Sequence, residues 1–203
     1  MRRFLPLVAL LAASPAWAEV ELSFYGGWQG APDGGVTLSG DATLPDAEAS
    51  GDEATGDSSQ LGLRATWWAE NGFGIALDYS HFGIDADDEA VAANGLALDG
   101  LDTFTVNGMR RWEEAFGSVT PYVGAGLGLA IADVEIEGGG SADASGPAVS
   151  WVAGASVPLT DSLSVFGEYE GTYSRLDGET DGGGNLDGDP VTNSINLGVS
   201  FSF

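Results

Sequence analysis

The sequence has no cysteine, no lysine and a single histidine, His81. Without cysteine, disulfide bonds cannot stabilise the chain, and one histidine cannot form a metal site of several histidines. Six arginines against 31 acidic residues exclude binding to nucleic acid, which requires many basic contacts to phosphate. Beyond the first residues, no apolar run approaches the ~20 residues of a membrane-spanning helix. A helical membrane protein, a disulfide-stabilised protein and a nucleic-acid-binding protein are therefore excluded.

The first 18 residues, MRRFLPLVALLAASPAWA, have the pattern of a secretory signal peptide. Two arginines precede an apolar run at 4–13, and small residues follow up to an A-x-A site ending at Ala18. The run is too short for a membrane anchor, and the arginine pair is interpreted as an ordinary n-region rather than a twin-arginine signal. We expect a mature chain that begins near Glu19, outside the cytoplasm of a bacterium. Four arginines against 31 acidic residues then give a net charge of −27.

Apolar residues recur at every second position in eight segments that are rich in glycine and β-branched residues. This period predicts β-strands and not helices. Long and short connections alternate, which is typical of an up-and-down barrel with one elaborated end. The predicted strands are 19–29, 60–69, 72–82, 101–112, 119–134, 147–158, 163–175 and 191–203. The long connections are 30–59, 83–100, 135–146 and 176–190, and the short ones are 70–71, 113–118 and 159–162.

One face of each predicted strand is apolar and the other is polar. The polar faces include Glu21, Tyr25, Arg64, Asp78, Asn107, Arg111, Glu168, Glu170 and Asn196, and the apolar faces include Val20, Phe24, Leu61, Leu63, Ile75, Leu127, Leu129, Trp151, Tyr169, Leu197 and Val199. A barrel in water places its apolar faces inside, and there are too many charges here for such a core. A bilayer around the apolar faces resolves this. We therefore predict an all-β, eight-stranded antiparallel up-and-down transmembrane β-barrel in the bacterial outer membrane, with no need of a partner subunit and thus monomeric.

The interior of an eight-stranded barrel is just wide enough for side chains to fill it, so a diffusion pore is not expected. Arg64 and Arg111 are the only predicted inward cations, and they face Glu21, Asp78, Glu168 and Glu170. These charges fit either a structural salt-bridge core, which we favour, or a catalytic cluster. The excess of carboxylates implies a bound proton, a bound cation, or carboxylates near solvent at the barrel mouth.

Three smaller patterns have plain interpretations. GAGLGLA at 124–130 lies inside a strand with no helix after it, so it is not a dinucleotide-binding loop, and we expect its glycines to let large inward side chains pass. The acidic, glycine-rich segments 46–59 and 177–189 do not match the ligand spacing of an EF-hand and are predicted to be solvated loops. Facing anionic lipopolysaccharide, such loops would be repelled unless Mg²⁺ or Ca²⁺ lies between.

The chain ends in VTNSINLGVSFSF, residues 191–203, an alternating strand that stops at Phe203. We expect this strand to close the barrel against the first strand, because an open sheet edge is not tolerated in a membrane. Its terminal aromatic residue resembles the signal by which the outer-membrane assembly machinery recognises its clients. Its inward residues are small and neutral, so no chemistry is predicted there.

Several strand sequences resemble the outer-membrane lipid A oxidase family of alphaproteobacteria. The resemblance covers most of the strand regions and almost none of the long connections, and SVFGEYEGTYS and TPYVGAGLGLA are its more distinctive parts. The matching stretches are ELSFYGGWQGAP at 21–32, LRATWW at 63–68, GFGIALDYSH at 72–81, NGMRRW at 107–112, TPYVGAGLGLA at 120–130, GPAVSWVAGAS at 146–156, SVFGEYEGTYS at 164–174 and VTNSINLGVSFSF at 191–203.

This resemblance implies an oxygen-dependent oxidation of the proximal glucosamine of lipid A to aminogluconate, assisted by a divalent metal ion and no other cofactor. It implies catalytic roles for Tyr25, Asp78, His81, Glu168 and Glu170, and contacts to substrate from Gln29 and Arg64, with Arg64 on a lipid A phosphate. Arg111, the other predicted inward cation, is a further candidate for contact with the substrate. Asp78, Glu168 and Glu170 offer the hard oxygen ligands that such a metal prefers. The family has a histidine after the AP of the first loop, where this chain has Asp33.

Two functions therefore stay open. One is an oxidase acting on lipid A, with outer-membrane lipid and lipopolysaccharide as its partners. The other is a non-catalytic barrel of the OmpA type with a structural, adhesive or surface-shielding role carried by its acidic loops. The enzyme requires a carboxylate cluster near the outer mouth with a gap for a sugar, whereas the structural role requires carboxylates satisfied by arginine deep in the barrel.

Overall fold

The computed structural model describes residues 18–30, 35–41, 46–50, 58–84, 96–113, 115–136, 140–180 and 183–203. The predicted signal peptide lies outside these residues except for Ala18, which begins the first strand. In the described ranges, no helix is long and apolar enough to cross a membrane. The strands are β1 Ala18–Gln29, β2 Gly35–Ser39, β3 Ala47–Ser50, β4 Ser58–Ala69, β5 Phe73–Ile84, β6 Leu96–Arg111, β7 Thr120–Ile136, β8 Gly140–Pro158, β9 Leu163–Ser174, β10 Leu176–Glu179, β11 Asn185–Gly188 and β12 Val191–Ser202.

Eight of these strands close into an antiparallel barrel, as predicted. Each of β4 to β8 pairs with the next strand in the chain, and β12 pairs with both β9 and β1. The pairing of β1 with β4 completes the ring. The last strand therefore meets the first one as expected, with Glu21 opposite Ser202 and Trp28 opposite Ile195.

Two of the long connections contain four short strands that the alternation did not predict. In the segment 30–59 these are β2 and β3, and in the segment 176–190 they are β10 and β11. They form an antiparallel extension in which β3 pairs with β2, β2 with β11, β11 with β10, and β10 with the outer end of β8. These strands have only four or five residues, so a period of two cannot be recognised in them.

The outer face of the barrel is apolar and the inner face is polar, which confirms the predicted orientation. Leu61, Leu127 and Ile195 are more than 60% exposed, whereas the inward Asn196 is fully buried. Val20, assigned to the outer face, is the exception at 5% exposure. The exposed aromatic residues at the strand ends include Trp28, Tyr173, Trp112 and Phe203.

Inward glycines make room for large neighbouring side chains in the lumen. A Cβ atom at Gly62 would lie 2.0 Å from the Tyr25 ring, and one at Gly124 would lie 2.2 Å from the Met109 sulfur. Among the glycines of 124–130, Gly124 therefore has the packing role that the sequence suggested. Because protein interiors are close-packed, a side chain at either position would displace an inward group.

The outer end of the lumen is filled by an apolar cluster, which we call the cap. Leu38 of β2, Leu176 of β10 and Leu186 of β11 are each at most 2% exposed, and they pack with residues at the outer ends of the barrel strands. The cap consists of Leu38, Phe82, Leu101, Ala130, Ala132, Ala144, Ala148, Leu176 and Leu186. The short loop strands thus close the barrel at the end that carries the long connections.

Candidate functional site

Arg64 occupies the centre of a buried ion-pair network in the middle of the lumen. Its guanidinium donates two hydrogen bonds to Glu168, at 2.7 and 3.0 Å, and its Nε donates to Asp78. Its Nη2 atom also lies 3.9 Å from an oxygen of Glu170. Asp78 faces Arg64 directly across the β4–β5 pair, and the two glutamates are inward residues of β9 on the far side of the ring.

Two tyrosines complete the coordination of these carboxylates. The Tyr25 hydroxyl donates to Asp78 at 2.6 Å, and the Tyr122 hydroxyl donates to Glu168 at 2.6 Å. The Arg64 guanidinium also lies over the Tyr25 ring, 5.1 Å from its centre. Each hydroxyl thus satisfies a carboxylate oxygen that would otherwise be costly to bury.

Glu170 is held mainly by neutral donors. The side-chain amides of Gln60 and Asn196 both donate to its Oε2 atom at 3.1 Å. If all three carboxylates are ionised, one guanidinium stands against three negative charges, so the network carries a formal charge of −2. Glu170, the carboxylate farthest from the guanidinium, accounts for part of this excess.

Five of the residues assigned to a site by sequence are therefore brought together: Tyr25, Arg64, Asp78, Glu168 and Glu170. Tyr122, Gln60 and Asn196 belong to the same network and were not assigned. Each of the three is an inward polar residue, so the alternation could have indicated them. Their partners could not be read from it, because these depend on the stagger between strands around the barrel.

His81 does not join this network, which corrects its assignment to the site. Successive residues of a strand point to opposite faces, so Asp78 and Ser80 point inward and His81 points outward. Its Nδ1 atom lies 3.0 Å from Asp102, which also accepts a hydrogen bond from the outward Tyr79 hydroxyl.

Arg111 and Gln29 are also separate from the network. Arg111 lies at the end with the short turns, where it pairs with Glu19 and Glu113 and stacks 4.6 Å from the Trp68 ring. Gln29 is buried at the opposite end of β1. Asp33, at the position where the resembled family has a histidine, lies outside the described residues.

The predicted metal ligands do not fit a metal ion in their present arrangement. Arg64 contacts Asp78, Glu168 and Glu170, so a cation already occupies the position that a shared metal would need. Within the described ranges, no group of three or more acidic, histidine or cysteine side chains is arranged to hold a metal.

The two ends of the lumen differ in access. At the outer end the cap covers the network. At the end with the short turns an open cavity of about 190 Å³ reaches up to Arg64 and Tyr122. We call this cavity the vestibule. It is lined by Glu19, Glu21, Ser23, Arg64, Thr66, Trp68, Met109, Arg111, Glu113, Thr120, Tyr122, Ser156, Pro158, Ser164, Phe166, Ser200 and Ser202.

A closed eight-stranded ring, apolar outside and filled with a charged network inside, defines a small transmembrane β-barrel. The chain belongs to the family described as outer membrane protein beta-barrel domain, whose model matches residues 4–203. It is thus an outer-membrane β-barrel of OmpA-like type. A search of curated protein sequences finds no significant match.

Solved structures of other small barrels share the fold. Neisserial surface protein A is 15% identical with a TM-score of 0.58, and the alignment covers 92% of this chain and 99% of that one. The N-terminal barrel domain of Pseudomonas aeruginosa OprF is 15% identical with a TM-score of 0.52, covering 91% and 97%. Ail of Yersinia pestis, in complex with the heparin analogue sucrose octasulfate, is 16% identical with a TM-score of 0.51, covering 92% and 99%. At these identities the likeness concerns the fold alone.

Proposed function

We propose that this protein is a non-catalytic outer-membrane barrel that displays a strongly acidic surface on the outside of the cell. The observation that carries the proposal is the enclosure of the central carboxylates. Asp78, Glu168 and Glu170 contact Arg64 deep in the lumen, and among the described residues the apolar side chains of the cap lie between them and the outer end. This is the arrangement required of a structural salt-bridge core.

The displayed surface follows from the charge of the segments that the sequence predicts as long connections, of which 135–146 is largely strand in the structure. The segments 30–59, 83–100, 135–146 and 176–190 contain twenty acidic residues and no arginine, lysine or histidine. A field of one sign attracts cations and repels polyanions over a distance set by salt. Ail was crystallised with a sulfated sugar, and the opposite preference, for cationic partners, is proposed here.

The barrel is proposed to be a monomer with two further partners. These are the outer-membrane lipid around its apolar outer face and the assembly machinery during insertion. Divalent ions between the acidic loops and lipopolysaccharide belong to the same proposal. Removal of Mg²⁺ and Ca²⁺ by a chelator is expected to change protease cleavage of the loops in intact cells. Equal cleavage with and without the chelator would remove the ion bridge from the proposal.

The charge display is tested by the binding of a cationic probe protein to cells. Cells with the wild-type barrel should bind more cytochrome c than cells without the gene. A variant with the acids of 176–190 changed to their amides should lie between them. The matched control changes Glu70 and Asp161, in the short turns, to Gln and Asn. Equal binding to the wild-type cells and to those with the 176–190 variant would contradict the display.

Lipid A oxidation is the competing function. It is supported by the strand sequences that resemble the lipid A oxidase family. It is also supported by the presence of Tyr25, Arg64, Asp78, Glu168 and Glu170 in one network. Mass spectrometry of lipid A from cells with and without the gene separates the two functions, with oxygen and divalent metal supplied. The non-catalytic proposal expects identical lipid A in both kinds of cell. An aminogluconate unit found only in cells with the gene would contradict that proposal and support the oxidase function.

A further inference from the structure

The vestibule differs from the rest of the lumen because its polar groups are not all satisfied within the protein. Glu21 lines it and forms no ion pair with the arginines of the described ranges, since Arg111 pairs with Glu19 and Glu113. Within the described ranges, the Glu21 carboxylate accepts a long hydrogen bond, 3.5 Å, from the Ser23 hydroxyl, and its other near donor is the neutral Trp68 indole. A carboxylate is thus available at the vestibule wall.

Thr66 provides a second, independent indication of a ligand. It lies directly opposite Glu21 in the β1–β4 pair and lines the same cavity. It is 1% exposed, and its hydroxyl makes no hydrogen bond. Directly opposed residues on one face of a sheet have Cβ atoms about 4.5–5.5 Å apart, so one small group can contact both side chains. A buried hydroxyl without a protein partner is costly unless a ligand or a water molecule in the cavity satisfies it.

The charge and shape of the vestibule define the chemical class of this ligand. At the mouth, Glu19, Glu21 and Glu113 outnumber Arg111, and the charge of Arg64 at the inner end of the vestibule is offset by its own carboxylates, so the vestibule favours a cation over an anion. Met109 and Phe166 add an apolar wall, which favours an organic cation over a hydrated metal ion. A volume of about 190 Å³ limits the ligand to a short chain.

We propose that the vestibule binds an alkylammonium group, which donates hydrogen bonds to Glu21 and Thr66 while its aliphatic chain packs against Met109 and Phe166. The cap closes the other end of the lumen, so the ligand enters from the periplasmic side. Both a free diamine and the side chain of a lysine in another protein carry this chemistry.

The test is calorimetric titration of the folded, full-length barrel in detergent micelles with pentane-1,5-diamine. A parallel titration with Nα-acetyl-lysine methylamide represents a lysine borne by a protein. We expect one site per barrel. Tighter binding of the diamine identifies a free amine as the source, and tighter binding of the lysine derivative identifies a protein side chain. No saturable binding of either probe would overturn the proposal.

Three variants locate the site. Glu21→Gln should weaken binding about tenfold or more, and the near-isosteric Thr66→Val about threefold to tenfold, as expected for charged and neutral hydrogen bonds respectively. Asp161→Asn is the matched control, because it removes one negative charge from the same end of the barrel outside the vestibule. Unchanged binding in both Glu21→Gln and Thr66→Val, or equal weakening in the control, would contradict the proposal. Heat-modifiable gel migration identifies which variants are folded.

Because the chain has no cysteine, a single introduced cysteine gives a second test that uses neither Glu21→Gln nor Thr66→Val. In Ser164→Cys the single thiol lies in the vestibule. It should react faster with the cationic aminoethyl methanethiosulfonate than with the anionic sulfonatoethyl reagent, and the diamine should slow the reaction. Equal rates for the two reagents, or no protection by the diamine, would also overturn the proposal.

Discussion

The two ends of this barrel are built from the same eight strands but have opposite characters. The outer end has long connections without a basic residue, and their short strands fold over the lumen as the cap. The inner end has short turns, an open vestibule, and Arg110 and Arg111 at its rim. Turns of a few residues are too short to fold over the lumen, so closure depends on connection length. The connections therefore determine which side has access to the lumen.

The network around Arg64 separates the two ends, and its removal should have the largest effect. Arg64→Met leaves Asp78, Glu168 and Glu170 buried without their cation. Loss of one partner from a buried ion pair typically costs about 3–5 kcal/mol, so we expect a decrease of that size in the free energy of unfolding. Urea unfolding in lipid vesicles measures it. A decrease below ~1 kcal/mol, the range of ordinary substitutions, would mean that the network does not hold the barrel together.

The cap and the vestibule should respond differently to the same kind of truncation. Leu186→Ala creates a cavity in the closed end and should cost about 2–4 kcal/mol. Met109→Ala, at the edge of the open vestibule, leaves space that water can enter, so we expect about half that cost. The two side chains are similarly buried, at 1% and 3% exposure, which makes them a matched pair. Equal losses in urea unfolding would contradict the difference in closure between the ends.

Glu170→Gln tests whether the negative charge of Glu170 contributes to the free energy of unfolding. The substitution removes one negative charge from a site with an excess of them and keeps an acceptor for the amides of Gln60 and Asn196. We expect a change within ~1 kcal/mol, or a gain in stability, because replacing strained buried charges is often neutral or favourable. A loss comparable with that of Arg64→Met, measured in the same way, would show that the carboxylate is essential.

The smallest effect is expected at the inner rim. Arg110 lies 4.5 Å from the Phe73 ring and 5.7 Å from the Trp112 ring, and it donates to the Asn71 carbonyl. Arg110→Ala should lower stability by about 0.5–1 kcal/mol, the range of exposed cation–π contacts. A loss above ~2 kcal/mol would indicate a more desolvated contact, and the rim would then resemble the closed end more than the open one.

The barrel wall could be predicted from the sequence because its determinants are local. Each of the eight strands is long enough to show the alternation of outward and inward residues. In β4, for example, Leu61 and Leu63 point outward and Gly62 and Arg64 point inward. The cap could not be predicted, since β2 and β11 are separated by roughly 150 residues in the chain and their pairing joins Val36 to Gly188. Non-local pairing of such short strands leaves no periodic signal.

The central network was predictable in part for the same reason. Alternation identified the inward charges Arg64, Asp78, Glu168 and Glu170, and the structure brings them together. It did not identify Tyr122 as the partner of Glu168, because that contact joins β7 to β9 over Gly154 of β8, the strand between them. The assignment of His81 followed the resemblance, and the structure places this residue on the outer face beside Asp102, apart from the network.

The cap is joined to the wall by a very short seam. Two aligned residue pairs link β10 to β8, Asp177 with Ser145 and Gly178 with Ala144, whereas eleven link β8 to β9. Proteins open in cooperative units of unequal stability, and the unit with the fewest hydrogen bonds to the remainder opens first. Backbone amides of β2, β10 and β11 should therefore exchange their hydrogens with solvent well before those of the wall, through an opening that leaves all eight wall strands paired.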